Sequence, residues 1–154
     1  MKKRIVFSAL MLLSGLLFLS PLNAGAGSPR LVDLGNGICK DLETGLMWQV
    51  RKSHKFYTEE EAQKYVKSLR LGGYSDWRLP TKKERWDLLH VFLLNKQGNC
   101  TLKYLGLPYW TTNTDKGTRP IRLEIACYCR DDQVISYARY GFVRAVRRDT
   151  PEKK

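Results

Sequence analysis

Gly73-Tyr74-Ser75-Asp76-Trp77-Arg78-Leu79-Pro80-Thr81 joins two helical patterns and sets how the chain passes between them. Upstream, Thr58-Glu59-Glu60-Glu61 has the form of a capping box. The Thr58 hydroxyl accepts from the backbone N–H of residue 61, and Glu61 reaches back to that of residue 58. Ala62, Tyr65, Val66 and Leu69 then recur on one helical face, and Gly72-Gly73 stops the helix. Downstream, Pro80 fixes the entry to a second helix and Thr81-Lys82-Lys83-Glu84 repeats the capping device. Trp86, Leu89, Leu93 and Phe92 give that helix its buried stripe, and residues 96–108, with Cys100 among them, form an irregular segment after it.

Strand patterns flank the helical pair. Residues 37–41 and 46–50 read as strand, turn, strand, with Gly45 free to take the positive φ that the reversal needs. After the irregular segment, 109–113 is a short strand. In 121–129 the odd positions are apolar, the period of a half-buried strand. Residues 130–133 turn, 134–138 return, and 141–148 form a last strand. The expected class is α+β: two helices packed on an antiparallel sheet that also takes in the opening hairpin.

The chain has 154 residues and begins with Lys2, Lys3 and Arg4, then an uncharged apolar run from Ile5 to Leu19, Pro21, and small residues at Ala24 and Ala26. That order defines a secretory signal over residues 1–24, cleaved after Ala24 or Ala26; the apolar run is shorter than the roughly 20 residues a spanning helix needs. Residues 25–30 are a flexible leader, 31–148 one domain and 149–154 a polar tail. The expected location is periplasmic or secreted. Cleavage removes three basic residues and no acidic ones, so the net charge falls from +12 to +9. Such a charge serves solubility and also favours acidic partners: sulfated or carboxylated polysaccharide, anionic headgroups or nucleic acid. Nucleic acid is disfavoured, because the aromatic residues look committed to a core rather than to base stacking.

Cys39, Cys100, Cys127 and Cys129 read as two disulfides in an exported chain. Cys127 and Cys129 are two apart on a strand and share a face, poor geometry for a bond that needs Cβ atoms about 3.5–4.5 Å apart. The two connectivities that join this pair to Cys39 and Cys100 are therefore favoured. Metal binding is disfavoured: no Cys-x-x-Cys spacing occurs, and His54 and His90 sit in unrelated contexts.

The central stretch, with Thr44-Gly45-Leu46-Met47-Trp48, Tyr109-Trp110-Thr111-Thr112 and Val143-Arg144-Ala145-Val146-Arg147, resembles the bacterial family named after the C-terminal domain of the Legionella collagen-like adhesin. The resemblance covers about residues 31–148. Its Arg-Leu-Pro-Thr core is similar to a turn of the formylglycine-generating sulfatase-modifying domains, which implies a C-type-lectin-like fold. The adhesin's domain binds sulfated glycosaminoglycans, which implies an anionic glycan as ligand. Trp48, Trp77, Arg78, Pro80, Thr81, Glu84 and Trp110 are the motif positions, read as scaffold.

Catalysis is not expected. The copper-binding cysteines of the formylglycine-generating enzymes are several residues apart, whereas one residue separates Cys127 from Cys129. The calcium-binding Glu-Pro-Asn and Gln-Pro-Asp tripeptides of sugar-binding C-type lectins are absent, and no Ser/His/Asp set stands out. Glu84, Asp87 and Glu124 are explained as cap, helix surface and strand surface. No cofactor is implied.

Three basic clusters remain as candidate contacts. Arg51-Lys52-Ser53-His54-Lys55 lies in a loop. Lys82, Lys83 and Arg85 crowd a helix N-terminus, at a cost of a few tenths of a kcal/mol against the helix dipole. Arg144, Arg147 and Arg148 end the last strand. Arginine forks match sulfate and carboxylate geometry. The reading is a non-catalytic module for an anionic polysaccharide, the alternative an interaction domain for an envelope protein.

Overall fold

The computed structural model describes residues 29–125 and 133–149. The chain runs β1 (Leu31–Asp33), β2 (Ile38–Asp41), β3 (Leu46–Gln49), α1 (Glu59–Ser68), α2 (Lys82–Leu93), β4 (Tyr109–Thr114), β5 (Gly117–Ile125), β6 (Gln133–Tyr137) and β7 (Val146–Arg148). The α+β order is as expected, with β1 added. Residues 1–28, which hold the predicted signal, residues 126–132, with Cys127 and Cys129, and residues 150–154 lie outside the described residues.

The opening hairpin forms for the anticipated reason. Asp41 Oδ1 accepts from the backbone N–H of Glu43, and Gly45 turns the chain at φ 67°. Both capping boxes are also present: Thr58 with Glu61, and Thr81 with Glu84, each reciprocal.

The strands make two antiparallel sheets, β1-β2-β3-β7 and β4-β5-β6, rather than the single sheet expected. The cause lies in the last segment. Only Val146–Arg148 pairs with β3, while Gly141 and Phe142 make isolated bridges to Phe56 and Tyr109. The predicted strand over 141–148 is thereby cut short.

α2 lies between the sheets, so its stripe differs from the predicted one. Leu88 and Val91 enter a core with Trp48, Val146, Cys39 and Cys100, while Trp86 and Leu89 face Ile121 and Leu123 of the second sheet. Leu93 is only half-buried. A helix apolar on two sides offers no single periodic stripe to read. A third cluster packs Trp77, Trp110, Ile38 and Met47 against Ala62 and Val66 of α1.

The quoted stretch ties these parts together. Trp77 is buried, Arg78 bridges to Val146 of β7 through both backbone groups, and the Pro80 carbonyl accepts from the Thr112 N–H of β4. Trp48, Trp77 and Trp110 are all core residues, as expected.

The cysteine pairing is a correction. Cys39 is bonded to Cys100, not to either of Cys127 and Cys129. Both sulfurs belong to one buried cluster, because the segment after α2 folds back over β2. Sequence spacing carries no trace of that return.

Candidate functional site

Three of the arginines offered as ligand contacts are buried instead. Arg144, 3% exposed, donates to the carbonyls of Gln49 (3.0 Å), Val50 (2.5 Å) and Lys103 (2.7 Å) and to the Tyr109 hydroxyl (3.2 Å). Arg85, 7% exposed, donates through one Nη to Thr111 Oγ1 and the Ile121 carbonyl. Burial pulls its pKa down to about 9, with neighbouring Tyr109 opposing that and Arg144 adding to it. Arg147, 5% exposed, pairs with Asp76 at 2.7 Å and stacks on the Tyr74 ring. Each aliphatic stem crosses apolar core, and each head is held by fixed acceptors. These side chains are framework, and the expectation that they reach out to an anionic glycan is withdrawn.

The other predicted cations do not converge either. Lys82 pairs with Asp115 across to the β4–β5 turn, Lys83 pairs with Asp87 one helical turn on, and Arg148 is exposed at the end of β7. Arg78 and Glu84 form a two-pronged pair at 2.6 and 2.9 Å, and Glu84 also accepts from the Thr81 N–H. Burial would raise the Glu84 pKa, but the bonds from Arg78 and Thr81 outweigh it and hold the carboxyl below its usual range. Arg78 and Glu84 therefore fix the entry to α2.

What the fold does assemble is a cleft between the segment leaving β3 and the segment after Cys100. Val50, Arg51 and Lys52 form one wall, Thr101, Lys103 and Tyr104 the other, and Arg144 lies at its floor. The cleft has a volume of about 560 Å³ and no carboxylate among its lining residues. Arg51 and Lys103 are exposed, and the Lys52 ammonium lies 3.7 Å from the centre of the Phe142 ring and 6.0 Å from that of Tyr104.

Both walls are pinned from within. Arg144 binds the Val50 carbonyl of one and the Lys103 carbonyl of the other, and the Cys39–Cys100 bond anchors the second wall to β2. The Tyr109 hydroxyl donates to the Tyr104 carbonyl at 2.9 Å. Tyr104 has φ 64°, in the left-handed region that a bulky residue rarely occupies, and the residue is 64% exposed. Backbone strain of this kind costs of order 1–3 kcal/mol and concentrates at functional sites.

Sequence reasoning placed Arg51 and Lys52 in a basic loop but missed Lys103 and Tyr104. The available signal was a lysine and tyrosine ahead of Gly106 and Pro108, just past a cysteine that could tether them. Among the described residues no group of three or more His, Cys, Asp or Glu is placed to hold a metal ion. His54 packs beside Phe56, and His90 beside Trp86. Among the same residues no helix is long and apolar enough to cross a membrane.

The family model of the Lcl C-terminal domain matches residues 37–147, a span that holds both sheets' central strands, both helices and the cleft. No curated protein and no solved structure matches the chain. The chain belongs to the Lcl C-terminal domain family.

Proposed function

We propose that this member of the Lcl C-terminal domain family is an exported, non-catalytic binding module that takes an anionic glycan, sulfated or uronic, in the cleft of Arg51, Lys52, Lys103 and Tyr104. The family suggests an adhesin-like binding module. The observation that carries the finer reading is the acid-free meeting of three cations and an exposed, strained tyrosine on two internally pinned walls. Guanidinium and ammonium groups match sulfate and carboxylate oxygens, and the tyrosine face offers a stacking surface to a sugar ring. Because Arg144 and the disulfide hold the walls, little ordering entropy is lost on binding. Export is supported by the N-terminal charge-apolar-small pattern and by a disulfide, which persists in oxidising compartments.

Retention on immobilised heparin tests the reading. Lys52→Ala with Lys103→Ala should elute at markedly lower salt than the unaltered protein. Lys83→Ala with Arg148→Ala, equal in charge removed, should elute near it. Equal losses from both pairs would mean retention by net charge alone and would favour the envelope-protein alternative.

A further inference from the structure

Behind the cleft lies a small interior cavity that the glycan reading does not use. It is lined by Trp48, Pro80, Arg85, Leu88, Tyr109 and Arg144, among others, and measures about 10 Å³, the scale of one water or one monoatomic ion. The Arg85 guanidinium carbon is 4.9 Å from the centre of the Tyr109 ring and that of Arg144 is 5.4 Å from it. Two buried guanidinium groups thus share one tyrosine. Among the described residues neither makes a salt bridge, although Arg30, Arg78 and Arg147 each have a carboxylate.

The hydrogen-bond balance is one-sided. Arg144 Nε and Trp48 Nε1 are buried and find no acceptor among the described residues. The Tyr109 hydroxyl already donates to the Tyr104 carbonyl and accepts from Arg144. The Pro80 carbonyl already accepts from the Thr112 N–H and hydroxyl. Orphaned buried donors are costly, and buried charges are ordinarily paired. A water could accept from these donors, but it would bring two hydrogens that need acceptors and would leave both positive charges uncompensated.

We infer that this cavity is a structural anion site for a halide, chloride under ordinary conditions, held by Arg85, Arg144 and the Trp48 indole N–H. The cavity is too small for sulfate, phosphate or a sugar carboxylate, so the site is separate from the cleft. The lowered Arg85 pKa is consistent with two cations in dry surroundings. Because the ion binds the folded chain only, it stabilises by mass action.

Two measurements test this independently of glycan binding. Crystals grown or soaked in bromide should show an anomalous peak beside Trp48 Nε1 and Arg144 Nε. In solution, the urea midpoint should rise with the logarithm of chloride concentration at constant ionic strength made up with gluconate. Arg85→Met should abolish that rise, and if this variant does not fold, the bromide peak alone decides. A cavity without anomalous signal at high bromide overturns the assignment. So does a midpoint unchanged between chloride and gluconate. Loss of heparin retention in cleft variants would leave the halide result untouched.

Discussion

Replacing Arg144 by Met keeps most of the side-chain volume and removes its donors. In a surface cluster that change would alter binding and little else. In this structure it strips the donor from the carbonyls of Gln49, Val50 and Lys103 and from the Tyr109 hydroxyl. Each carbonyl left without a partner costs about 1–3 kcal/mol when buried. Water reaching through the cleft can restore part of the loss at Val50 and Lys103, so the net cost is about 3–4 kcal/mol. With a urea slope of about 1.5 kcal/mol/M for a domain of this size, the midpoint should fall by about 2 M. Equilibrium unfolding followed by tryptophan fluorescence reads this directly, since Trp48, Trp77, Trp86 and Trp110 are all buried. Arg148→Met is the control and should move stability by no more than about 0.5 kcal/mol. An Arg144→Met midpoint within about 0.3 M of the unaltered protein, with weakened heparin retention, would refute the reasoning: the guanidinium would then be a ligand contact.

Removing the Thr81 cap by Thr81→Ala should cost about 1 kcal/mol, read as a lower urea midpoint with unchanged slope. The Cys39–Cys100 bond spans a sequence separation of 61 residues, for which loop-closure entropy predicts about 4 kcal/mol; reduction should lower the midpoint accordingly. Non-reducing peptide mapping should recover that pair, and a peptide joining Cys39 to Cys127 or Cys129 would contradict it. Asp41, Asp76 and Glu84 all have lowered pKa values. For Asp41, as for Glu84, burial acts upward and is outweighed by an arginine, here Arg30; for Asp76 the Arg147 bond leads. The unfolded chain therefore binds more protons in mild acid. The stability these pairs provide is complete above the unfolded carboxylate values of about 4 and is lost as pH falls through the lower folded values. Midpoints measured from pH 7 down to pH 2 should decline only in that acid range, and a decline already complete by pH 5 would argue against these pairings.

The local chemistry of this chain is legible in its sequence, and its long-range closure is not. Capping boxes at Thr58 and Thr81, the Gly45 turn and the alternation at Ile121 and Leu123 are nearest-neighbour signals, and each appears where expected. The tryptophans of the motif fall in the core because rings of that size have few other places in a domain of this length. The α2 stripe is legible only in part: Trp86, Leu89 and Phe92 pack inward as expected, while Leu88 and Val91 escape the pattern because a helix between two sheets is apolar on two sides. Arg85, Arg144 and Arg147 were misread because a sequence shows charge but not acceptors. The carbonyls, the Tyr109 ring and Asp76 that hold them come from distant segments. The cleft depends on the same kind of closure: Lys103 meets Arg51 and Lys52 only because Cys100 returns to β2.

Chemical-shift mapping with a defined heparin tetrasaccharide is the most direct test of the cleft as the ligand site. Backbone amides of residues 50–52 and 101–104 should shift together and saturate with one affinity, and Tyr104→Ala should weaken that affinity about tenfold, the loss of about 1.4 kcal/mol of stacking. Shifts centred instead on Lys82, Lys83 and Arg148, with the cleft amides unmoved, would contradict it.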